Sequence, residues 1–423
     1  MRGPIHLILV EGRSVGDNVD HNKFYDMVEV NGECHCRYGR ISDDYQFGQS
    51  GKLQTYPLSK WDSIYDQKIR KGYEDQSHLY RSLMVRSKTT NTKSKYAAIE
   101  NQSVADIVER LQRYAKEIVD SQYSIKAASV TQEMVDDAQR LLNSMVTAVS
   151  LRDFNYYLLK LFKTIPRSMK NVDDALLNID ADDERKVIIA KEQDLLDMMI
   201  GMLATESANA ANSTSKSKSK SKKKTILEAN GISIDVASDE DIELVKSKLG
   251  SNANRLLNVW KVSNFKQEDA YEKYVTAEKI RKKNCKLLWH GTRSENIWSI
   301  LKTGLVLRPT NAVITGKMFG YGIYFAPTAQ KSLGYTSLSG SYWAKGHANS
   351  GFMLLHAVAY GTPYDVYSFN SKYYNFNYKE LQKACPGANC LHAHGGSGML
   401  KNDEIIVYKE EQVMPLYLVE ISA

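Results

Sequence analysis

The sequence predicts a multidomain protein in which a small β-rich module and an all-α helical bundle precede an α+β domain with antiparallel sheets. Three observations predict this order. Apolar and polar residues alternate on both sides of Asn31-Gly32, which is a hairpin signal because both turn residues tolerate a positive φ. Residues 99–205 carry apolar side chains at helical spacing. Residues 226–423 return to short strand-like runs separated by turn signals.

The length of 423 residues exceeds what one hydrophobic core serves, so several domains are expected. We place them at residues 1–85, 99–205 and 226–423, with polar linkers at 86–98 and 206–225. The second linker contains the run SKSKSKSKKK, which cannot bury a core and is expected to be disordered. The sequence leaves open whether this tract only joins domains or also contacts phosphates or accepts modification.

The first two predicted domains have simple patterns. In the β-rich module, strands Phe24–Val30 and Cys34–Arg40 flank the turn, and a helix begins near Trp61. In the helical region, a capping box formed by Ser129 and Gln132 opens one helix. Another helix is predicted to end at Pro166, and a last helix is predicted over Glu184–Leu203.

In the third domain, few long helices are expected and five strands are predicted. They are Lys286–His290, Gly322–Phe325, Phe352–Tyr360, Glu404–Tyr408 and Leu416–Ile421.

Charge and cysteine content limit the class of protein. The formal net charge of +7 permits a polyanionic partner. Five thinly spread cysteines argue against a disulfide framework and indicate a reducing compartment. The apolar run Ile5–Val10 is too short for a signal-peptide core. No apolar stretch approaches the roughly 18 residues of a membrane span, so no membrane partner is expected.

Three segments of the last domain suit a nucleotide-type pocket. In the first, His290 stands beside Gly291, whose bare backbone a ligand can approach closely. The second runs from Thr315 through a glycine-rich turn to Tyr335 and carries Gly322, Tyr324, Lys331 and Ser332. Two tyrosines there can enclose a flat ring. In the third, Glu404 opens an apolar strand, where an acid is hard to explain by packing alone.

In combination, the order and spacing of these segments from about residue 226 onward resemble the catalytic domain of the poly(ADP-ribose) polymerases. The resemblance implies that Gly291 and Ser332 bind the nicotinamide carboxamide of NAD, with Tyr335 and Tyr324 on the two faces of the ring. It implies that Glu404 binds the nicotinamide ribose and orients the acceptor.

The same resemblance assigns the remaining NAD contacts. His290 would hold the adenosine ribose with Thr292 and Asn296 nearby, while Gly322 lines the pocket and Lys331 lies beside Glu404. One departure concerns the adenine end, where Val306 replaces an arginine of some relatives and Arg308 is a substitute. NAD is then a consumed substrate, and neither a cofactor nor a metal is required. Its cleavage develops oxocarbenium character that a carboxylate stabilises.

The upstream residues resemble two further domains of the DNA-dependent members of this family. The helical region is similar to their regulatory helical domain, which shields the NAD pocket until DNA binds. The first module resembles a WGR domain in which the naming tryptophan is replaced, leaving Tyr38-Gly39-Arg40. Tyr38 could stack on a DNA end and Arg40 grip its phosphate. A plain small sheet domain is the alternative interpretation.

A separate cluster is a candidate zinc site. Cys385, Cys390, His392 and His394 supply four soft ligands within ten residues. Their spacing matches no common zinc finger, so a loop that binds no metal is the alternative interpretation.

The predicted function is that of a DNA-break-activated poly(ADP-ribose) polymerase, which transfers ADP-ribose from NAD to proteins, elongates the chains and releases nicotinamide. The acceptors include other proteins and the enzyme itself, and the resemblance implies a nuclear location. The alternatives are a mono-ADP-ribosyltransferase and a catalytically silent DNA-binding scaffold. The sequence leaves the activating DNA structure, acceptor residue, polymer length and oligomeric state open.

Overall fold

A computed structural model describes most of the chain. The described residues are 2–12, 21–41, 45, 47–78, 96–125, 127, 130–169, 171–214, 223–307, 318–342, 344, 346–396 and 400–423. The chain divides into two compact units. One consists mainly of residues 1–93 and 117–199, and the other of 94–116, 200–312 and 316–423. Within the described residues, no helix combines the length and apolar character needed to cross a membrane.

The first unit contains an antiparallel five-stranded sheet of order β4-β3-β2-β1-β5. Its strands are β1 (Ile5–Glu11), β2 (His21–Val30), β3 (Glu33–Arg40), β4 (Lys52–Pro57) and β5 (Glu74–Asp75). The predicted hairpin is confirmed, because Asn31 and Gly32 form its turn with φ of 52° and 81°. Helix α1 (Trp61–Arg70) packs Trp61 and Ile64 into the core of this sheet.

The described residues of the predicted helical stretch 99–205 lie mainly in four helices, the last of which continues beyond it. They are α2 (Gln102–Gln122), α3 (Gln132–Val146), α4 (Leu151–Thr164) and α5 (Asp182–Thr214). The predicted end of α4 before Pro166 is confirmed. The cap of α3 is Thr131, which accepts from the Met134 N–H, and not the predicted Ser129, which lies outside the described residues. The predicted end of α5 near Leu203 is also wrong. Alanine-containing sequence without Gly or Pro lets the helix continue to Thr214.

The second unit is α+β with two sheets. The larger is antiparallel with order β6-β7-β14-β10-β8. Its strands are β6 (Ile232–Val236), β7 (Leu256–Asn264), β8 (Cys285–Gly291), β10 (Ser350–Ala359) and β14 (Val413–Ser422). The smaller has order β11-β12-β13-β9, with β11 and β12 parallel. Its strands are β9 (Ile323–Phe325), β11 (Pro363–Val366), β12 (Cys390–Ala393) and β13 (Glu404–Val407).

Short helices cover these sheets. They are α6 (Ile226–Ala229), α7 (Asp239–Leu249), α8 (Phe265–Ala277), α9 (Ser294–Thr303), α10 (Ala329–Leu333) and α11 (Tyr378–Ala384). The five predicted strands of this unit are confirmed as β8, β9, β10, β13 and β14. Strands β6, β7, β11 and β12 were not predicted, and the predicted antiparallel pattern does not cover the parallel pair of β11 and β12.

The beginning of α2 belongs to the second unit. Ile107 and Leu111 are buried against Trp260, Phe352 and Leu418 of the larger sheet. The predicted helical stretch 99–205 is therefore divided between the two compact units. Its identity as a regulatory domain stays a prediction.

An ion pair reinforces this packing. The Arg110 guanidinium holds Glu420 of β14 with an Nη2–Oε1 distance of 2.6 Å and an Nη1–Oε2 distance of 3.3 Å. Burial of Glu420 opposes its ionisation, but hydrogen bonds from Arg110, Asn258 and Ser350 outweigh this and lower its pKa. The packed face of α2 is thus tied to the last strand of the sheet.

Candidate active site

A short backbone bridge joins the two sheets of the second unit at the predicted site. The Trp289 N–H donates to the Ala326 carbonyl at 2.9 Å, and the Ala326 N–H donates back to Trp289 at 2.9 Å. Trp289 lies near the end of β8, and Ala326 directly follows β9. This bridge brings His290 of one sheet next to Tyr324 of the other.

The His290 ring is held in one orientation. Its Nδ1 lies 3.1 Å from the carbonyl oxygen of Tyr324. A carbonyl oxygen can only accept, so Nδ1 carries the proton. Burial lowers the pKa of His290, although the Tyr324 carbonyl raises it in part, so the ring is neutral at pH 7. The remaining atom, Nε2, is therefore a hydrogen-bond acceptor.

A second histidine lies beside the first and was missed by the sequence analysis. His356 of β10 is buried, and its ring centroid lies 6.1 Å from that of His290. Burial, and then the nearby His290, hold the pKa of His356 well below its usual value. The sequence contained one sign of this residue, because His356 is a single histidine inside the otherwise apolar run Gly351–Tyr360.

The close contact between β8 and α10 requires a glycine at position 291. A Cβ at this position would lie 1.9 Å from the Ser332 carbonyl oxygen, which is far inside contact distance. The Ser332 hydroxyl donates to the Trp289 carbonyl at 3.2 Å. The end of β8 and the middle of α10 therefore form one rigid corner, as the paired assignment of Gly291 and Ser332 requires.

Two tyrosines line the same corner. The Tyr324 hydroxyl donates to the Gly320 carbonyl at 3.0 Å and accepts from the Phe319 N–H at 3.0 Å. Burial raises the pKa of Tyr324 well above its usual value and that of Tyr335 to about 12, and the charge of Glu404 adds to both shifts. Both rings are therefore neutral at pH 7, and both lie within electrostatic range of Glu404.

The register of the small sheet places Glu404 and Tyr324 on one face. Tyr324 pairs with Ile406, and Glu404 stands two residues before Ile406 on β13. Gly322 lets β9 approach β13 at this point, because a Cβ there would lie 2.2 Å from Cγ2 of Ile406. The predicted positions of Gly322, Tyr324 and Glu404 thus converge.

Glu404 is a buried carboxylate that is paired through one of its two oxygens. Its Oε1 forms an ion pair with Nζ of Lys331 on α10, and both side chains are largely buried. Its Oε2 is buried with no hydrogen-bond partner among the described residues. Burial raises the pKa of Glu404, while the charge of Lys331 and its hydrogen bond lower it in part. An unpaired carboxylate oxygen in such a place can accept a ligand hydroxyl or stabilise a developing cation.

Thr292 and Asn296 lie on the His290 side of the corner. The Asn296 side-chain amide donates to the Thr292 hydroxyl at 3.2 Å. Its Oδ1 is buried without a partner among the described residues. The two side chains therefore offer another acceptor beside the end of β8.

A cleft opens next to Glu404. Its lining residues are Pro327, Thr328, Gly395, Gly396, Lys401, Asn402 and Asp403. Because Asp403 directly precedes Glu404, a molecule in this cleft lies close to the buried carboxylate.

Other predicted site residues lie elsewhere. Tyr38 of β3 stacks on Tyr25 at a centroid distance of 5.7 Å within the first unit, and Arg40 is exposed at the end of the same strand. Val306 is 53% exposed. Arg308 and the turn residues 315–317 lie outside the described residues.

The structure does not assemble the predicted zinc set. Cys390 is buried in a hydrophobic cluster, and Cys385 packs against a different one. His392 and His394 instead converge with Asp365, with one ligand atom from each residue within 4.8 Å of the others. The two cysteines are separated because Cys390 of β12 is buried in one core, whereas Cys385, which follows α11, is half-buried against another.

The chain resembles proteins of known sequence mainly in its second unit. Residues 240–423 match the family described as the poly(ADP-ribose) polymerase catalytic domain. The chain is similar to the poly(ADP-ribose) polymerase-like protein 100L of Invertebrate iridescent virus 6, with 35% identity over 40% of this chain and 87% of the viral protein.

Two cellular proteins also match. The chain is similar to poly(ADP-ribose) polymerase 2 of Homo sapiens, with 33% identity over 37% of this chain and 30% of the human protein. It is similar to poly(ADP-ribose) polymerase 2-A of Oryza sativa subsp. japonica, with 28% identity over 41% of this chain and 26% of the rice protein. The matches therefore span most of the viral relative but under a third of these two cellular ones.

Proposed function

Since the chain belongs to the poly(ADP-ribose) polymerase family and is an NAD ADP-ribosyltransferase, we propose that it cleaves NAD at the corner formed by His290, Gly291, Tyr324 and Glu404. It then transfers ADP-ribose to protein acceptors and elongates the chain. The observation that carries the proposal is the buried Oε2 of Glu404, which has no hydrogen-bond partner among the described residues and lies within electrostatic range of two neutral tyrosine rings.

The nicotinamide end of NAD binds at the contact between β8 and α10. The carboxamide bonds to the backbone of Gly291 and to the Ser332 hydroxyl, which lies near that backbone through its bond to Trp289. The flat ring stacks on Tyr335, with Tyr324 on its other side. Neutral aromatic faces suit a cationic pyridinium ring, because the face of an aromatic ring carries partial negative charge.

The adenosine end of NAD extends past His290. Its ribose hydroxyl donates to Nε2 of His290, whose acceptor state is fixed by the Tyr324 carbonyl. Thr292 and Asn296 bind at the same end, where Oδ1 of Asn296 is an acceptor without a partner among the described residues. A protonated His290 could not accept this bond, so its lowered pKa supports the assignment.

Glu404 carries the chemistry. The bond between ribose C1 and the nicotinamide nitrogen breaks, and its electron pair leaves with nicotinamide. Oε2 of Glu404 accepts a hydroxyl of the nicotinamide ribose and stabilises the positive charge that develops on the sugar. The acceptor oxygen then bonds to C1 and loses its proton, with the carboxylate as the nearby base. Lys331 keeps Glu404 ionised and oriented.

The cleft beside Glu404 receives the acceptor. Thr328 and Asn402 supply polar groups at its walls, and Lys401 supplies a positive charge. A protein side chain or the end of an existing ADP-ribose chain enters there. When the end of an existing ADP-ribose chain is the acceptor, the transfer lengthens that chain.

The test compares the full chain with Glu404→Gln, incubated with labelled NAD and acceptor protein. The variant should lose polymer by on the order of a hundredfold or more and retain residual single transfer, because Gln cannot take the proton from the sugar hydroxyl that is the acceptor in elongation. Glu272→Gln, which changes an exposed carboxylate of α8, is the matched control. Equal polymer from both variants would refute the role of Glu404. A wild type that forms only single units supports mono-transfer, and one without turnover supports a silent scaffold.

We further propose that broken DNA activates the enzyme through the first unit and that the protein works in the nucleus. Tyr38 and Arg40 would contact the DNA, and the helical region would control access to NAD. Activity with and without nicked or blunt-ended DNA tests the first point. An equal rate in both conditions contradicts it. Localisation of a tagged full chain tests the second.

The Ser-Lys tract is a candidate acceptor for automodification. Its residues 215–222 lie outside the described residues. Deletion of residues 213–224 should lower the label attached to the enzyme itself while transfer to added protein continues. An unchanged automodification signal would contradict this proposal.

A further inference from the structure

Two histidines of the smaller sheet form an unusual pair. His392 lies on β12, and His394 follows two residues later on the same face. Their rings stack with centroids 4.0 Å apart and planes inclined by 21°. Tyr367 stacks on the outer face of His394 at 4.4 Å. The two imidazole rings are therefore held face to face, and their nitrogen atoms are accessible from the edges of the stack.

Two carboxylates bracket these ring edges. Asp365 of β11 pairs with His392 in the parallel register, and its Oδ1 lies 2.7 Å from Nε2 of His394 and 3.9 Å from Nδ1 of His392. On the other side, Oδ2 of Asp403 lies 2.9 Å from Nε2 of His392. The Gly395 N–H fixes this carboxylate by donating to Oδ1 at 2.8 Å. Neither carboxylate is among the residues proposed to contact NAD, although Asp403 also lines the proposed acceptor cleft.

We propose that Asp365, His392 and His394 bind a divalent transition-metal ion, with zinc as the best match. The three ligand atoms are Oδ1 of Asp365, Nδ1 of His392 and Nε2 of His394. A tetrahedral ion with bonds of about 2.0–2.1 Å separates neighbouring ligand atoms by roughly 3.3 Å. The observed separations of 2.7 and 3.9 Å lie on either side of that value, and all three ligand atoms lie within 4.8 Å of one another.

Asp403 completes the arrangement as an orienting carboxylate. It faces Nε2 of His392, the nitrogen opposite to the proposed ligand atom. A carboxylate in this position fixes the tautomer of a metal-bound histidine and raises its basicity. The Tyr360 hydroxyl, 2.9 Å from Nδ1 of His392, occupies the ligand position without metal and gives way to the ion.

The charge and the exposure of the group favour a dication. The group contains two carboxylates, Asp365 and Asp403, whose negative charge a bound divalent ion would balance. His392 is largely buried, whereas Asp365 is 42% and His394 25% exposed at the side chain. The ion therefore has an entry path and an open fourth position for water. Imidazole and carboxylate ligands in this ratio suit zinc and copper better than magnesium or calcium.

This ligand set replaces the one predicted from the sequence. The two histidines remain, but Asp365 of β11 takes the place of Cys385 and Cys390 as the further ligand, and Asp403, just before β13, orients His392. No spacing rule could reveal them, because Asp365 and His392 are joined only by the parallel pairing of β11 with β12. The two ligand sets predict different effects of substitution.

The experiment measures zinc binding to the full chain after removal of metal by a chelator. Zinc affinity is determined by competition with a fluorescent chelator, and Co²⁺ is added separately to detect tetrahedral binding by visible absorption. We expect one ion per chain. Asp365→Asn and His394→Gln should each weaken zinc binding at least tenfold, because each removes a direct ligand. Tyr360→Phe removes the competing hydroxyl and should bind zinc at least as tightly as the wild type.

Two controls complete the design. His347→Gln changes an exposed histidine outside the cluster and should leave the affinity unchanged. Cys385→Ser should also leave it unchanged. Circular dichroism and NAD turnover show that each variant is folded. Zinc binding by the wild type no tighter than by His394→Gln overturns the proposal, as does a tenfold loss in Cys385→Ser.

Discussion

At the residue scale, the contact between Gly291 and Ser332 shows how little space the proposed nicotinamide pocket leaves. Gly291→Ala would place a Cβ 1.9 Å from the Ser332 carbonyl oxygen and push β8 away from α10. A displacement of about 1 Å at a reacting group reduces kcat/KM on the order of a hundredfold. Nicotinamide release measures this loss. Gly3→Ala, whose Cβ would meet open space, is the control and should be fully active.

The ion pair of Lys331 with Glu404 predicts a particular pH dependence. Glu404 must be ionised to act, and burial has raised its pKa, so activity should fall as the pH drops through that raised value. Lys331→Met removes the charge that holds the pKa down. The acid limb of the kcat profile should therefore move to higher pH. Lys383→Met, which breaks an exposed pair with Glu380, should leave the profile in place. A shift of equal size in both variants would contradict the assignment.

The sequence pointed to candidate site residues most directly where they lie in short contiguous motifs. Gly291, Ser332 and Glu404 each stand in a short segment whose order along the chain identifies it. His356 and Asp365 were missed because their importance depends on strand register. His356 reaches His290 across the pairing of β10 with β8, and Asp365 reaches His392 across a parallel pair.

At the element scale, the beginning of α2 supplies core to the larger sheet of the second unit. Leu111 is fully buried in this cluster. Leu111→Ala should lower the free energy of unfolding by about 2–5 kcal/mol, because it leaves a cavity against Phe352 and Leu418. Glu109→Ala changes an exposed residue of the same helix and should alter stability by less than about 0.5 kcal/mol. Urea unfolding followed by circular dichroism distinguishes the two. Equal midpoints would show that the helix contributes nothing to the core.

Helices and strands were predicted correctly where one hydrophobic period, that of a helix or that of a strand, dominates the segment. The stripe of α2 and the alternation of β2 and β3 are long and regular. Strand β6 was missed although its five residues, Ile232 to Val236, alternate apolar and polar side chains. Strand β7 was missed because it shows no clean alternation. The extension of α5 was missed because residues 206–214 have no apolar periodicity, although nothing in them breaks a helix.

At the scale of the whole molecule, the proposed DNA contact has an electrostatic signature. Arg40 is exposed, so its role would be to neutralise a phosphate without a change in the fold. Arg40→Ala should reduce the slope of log affinity against log salt by about 0.9 for each lost contact. It should also lower stimulation by DNA without affecting the basal rate. Lys266→Ala removes an exposed charge from α8 and is the control. An unchanged slope in Arg40→Ala would exclude the contact.

The arrangement into two compact units could not be predicted from the sequence. Periodicity assigned residues 99–205 to a single bundle because each helix has an apolar face. It cannot show which surface each face covers. The Val104–Ala115 stretch turns its apolar face to the larger sheet, whereas α3 and α4 lie in the first unit.

The bond between Arg110 and Glu420 joins residues 310 positions apart. During synthesis, the apolar face of α2 leaves the ribosome long before β14, against which it packs. The unit that holds the catalytic corner therefore has a high contact order, and its core cannot close before β14 has been synthesised. Its folding should be slow, because a long loop must close before the packing that stabilises it can form. In a cell, the nascent α2 would need a chaperone or a temporary intramolecular partner until the last strand arrives.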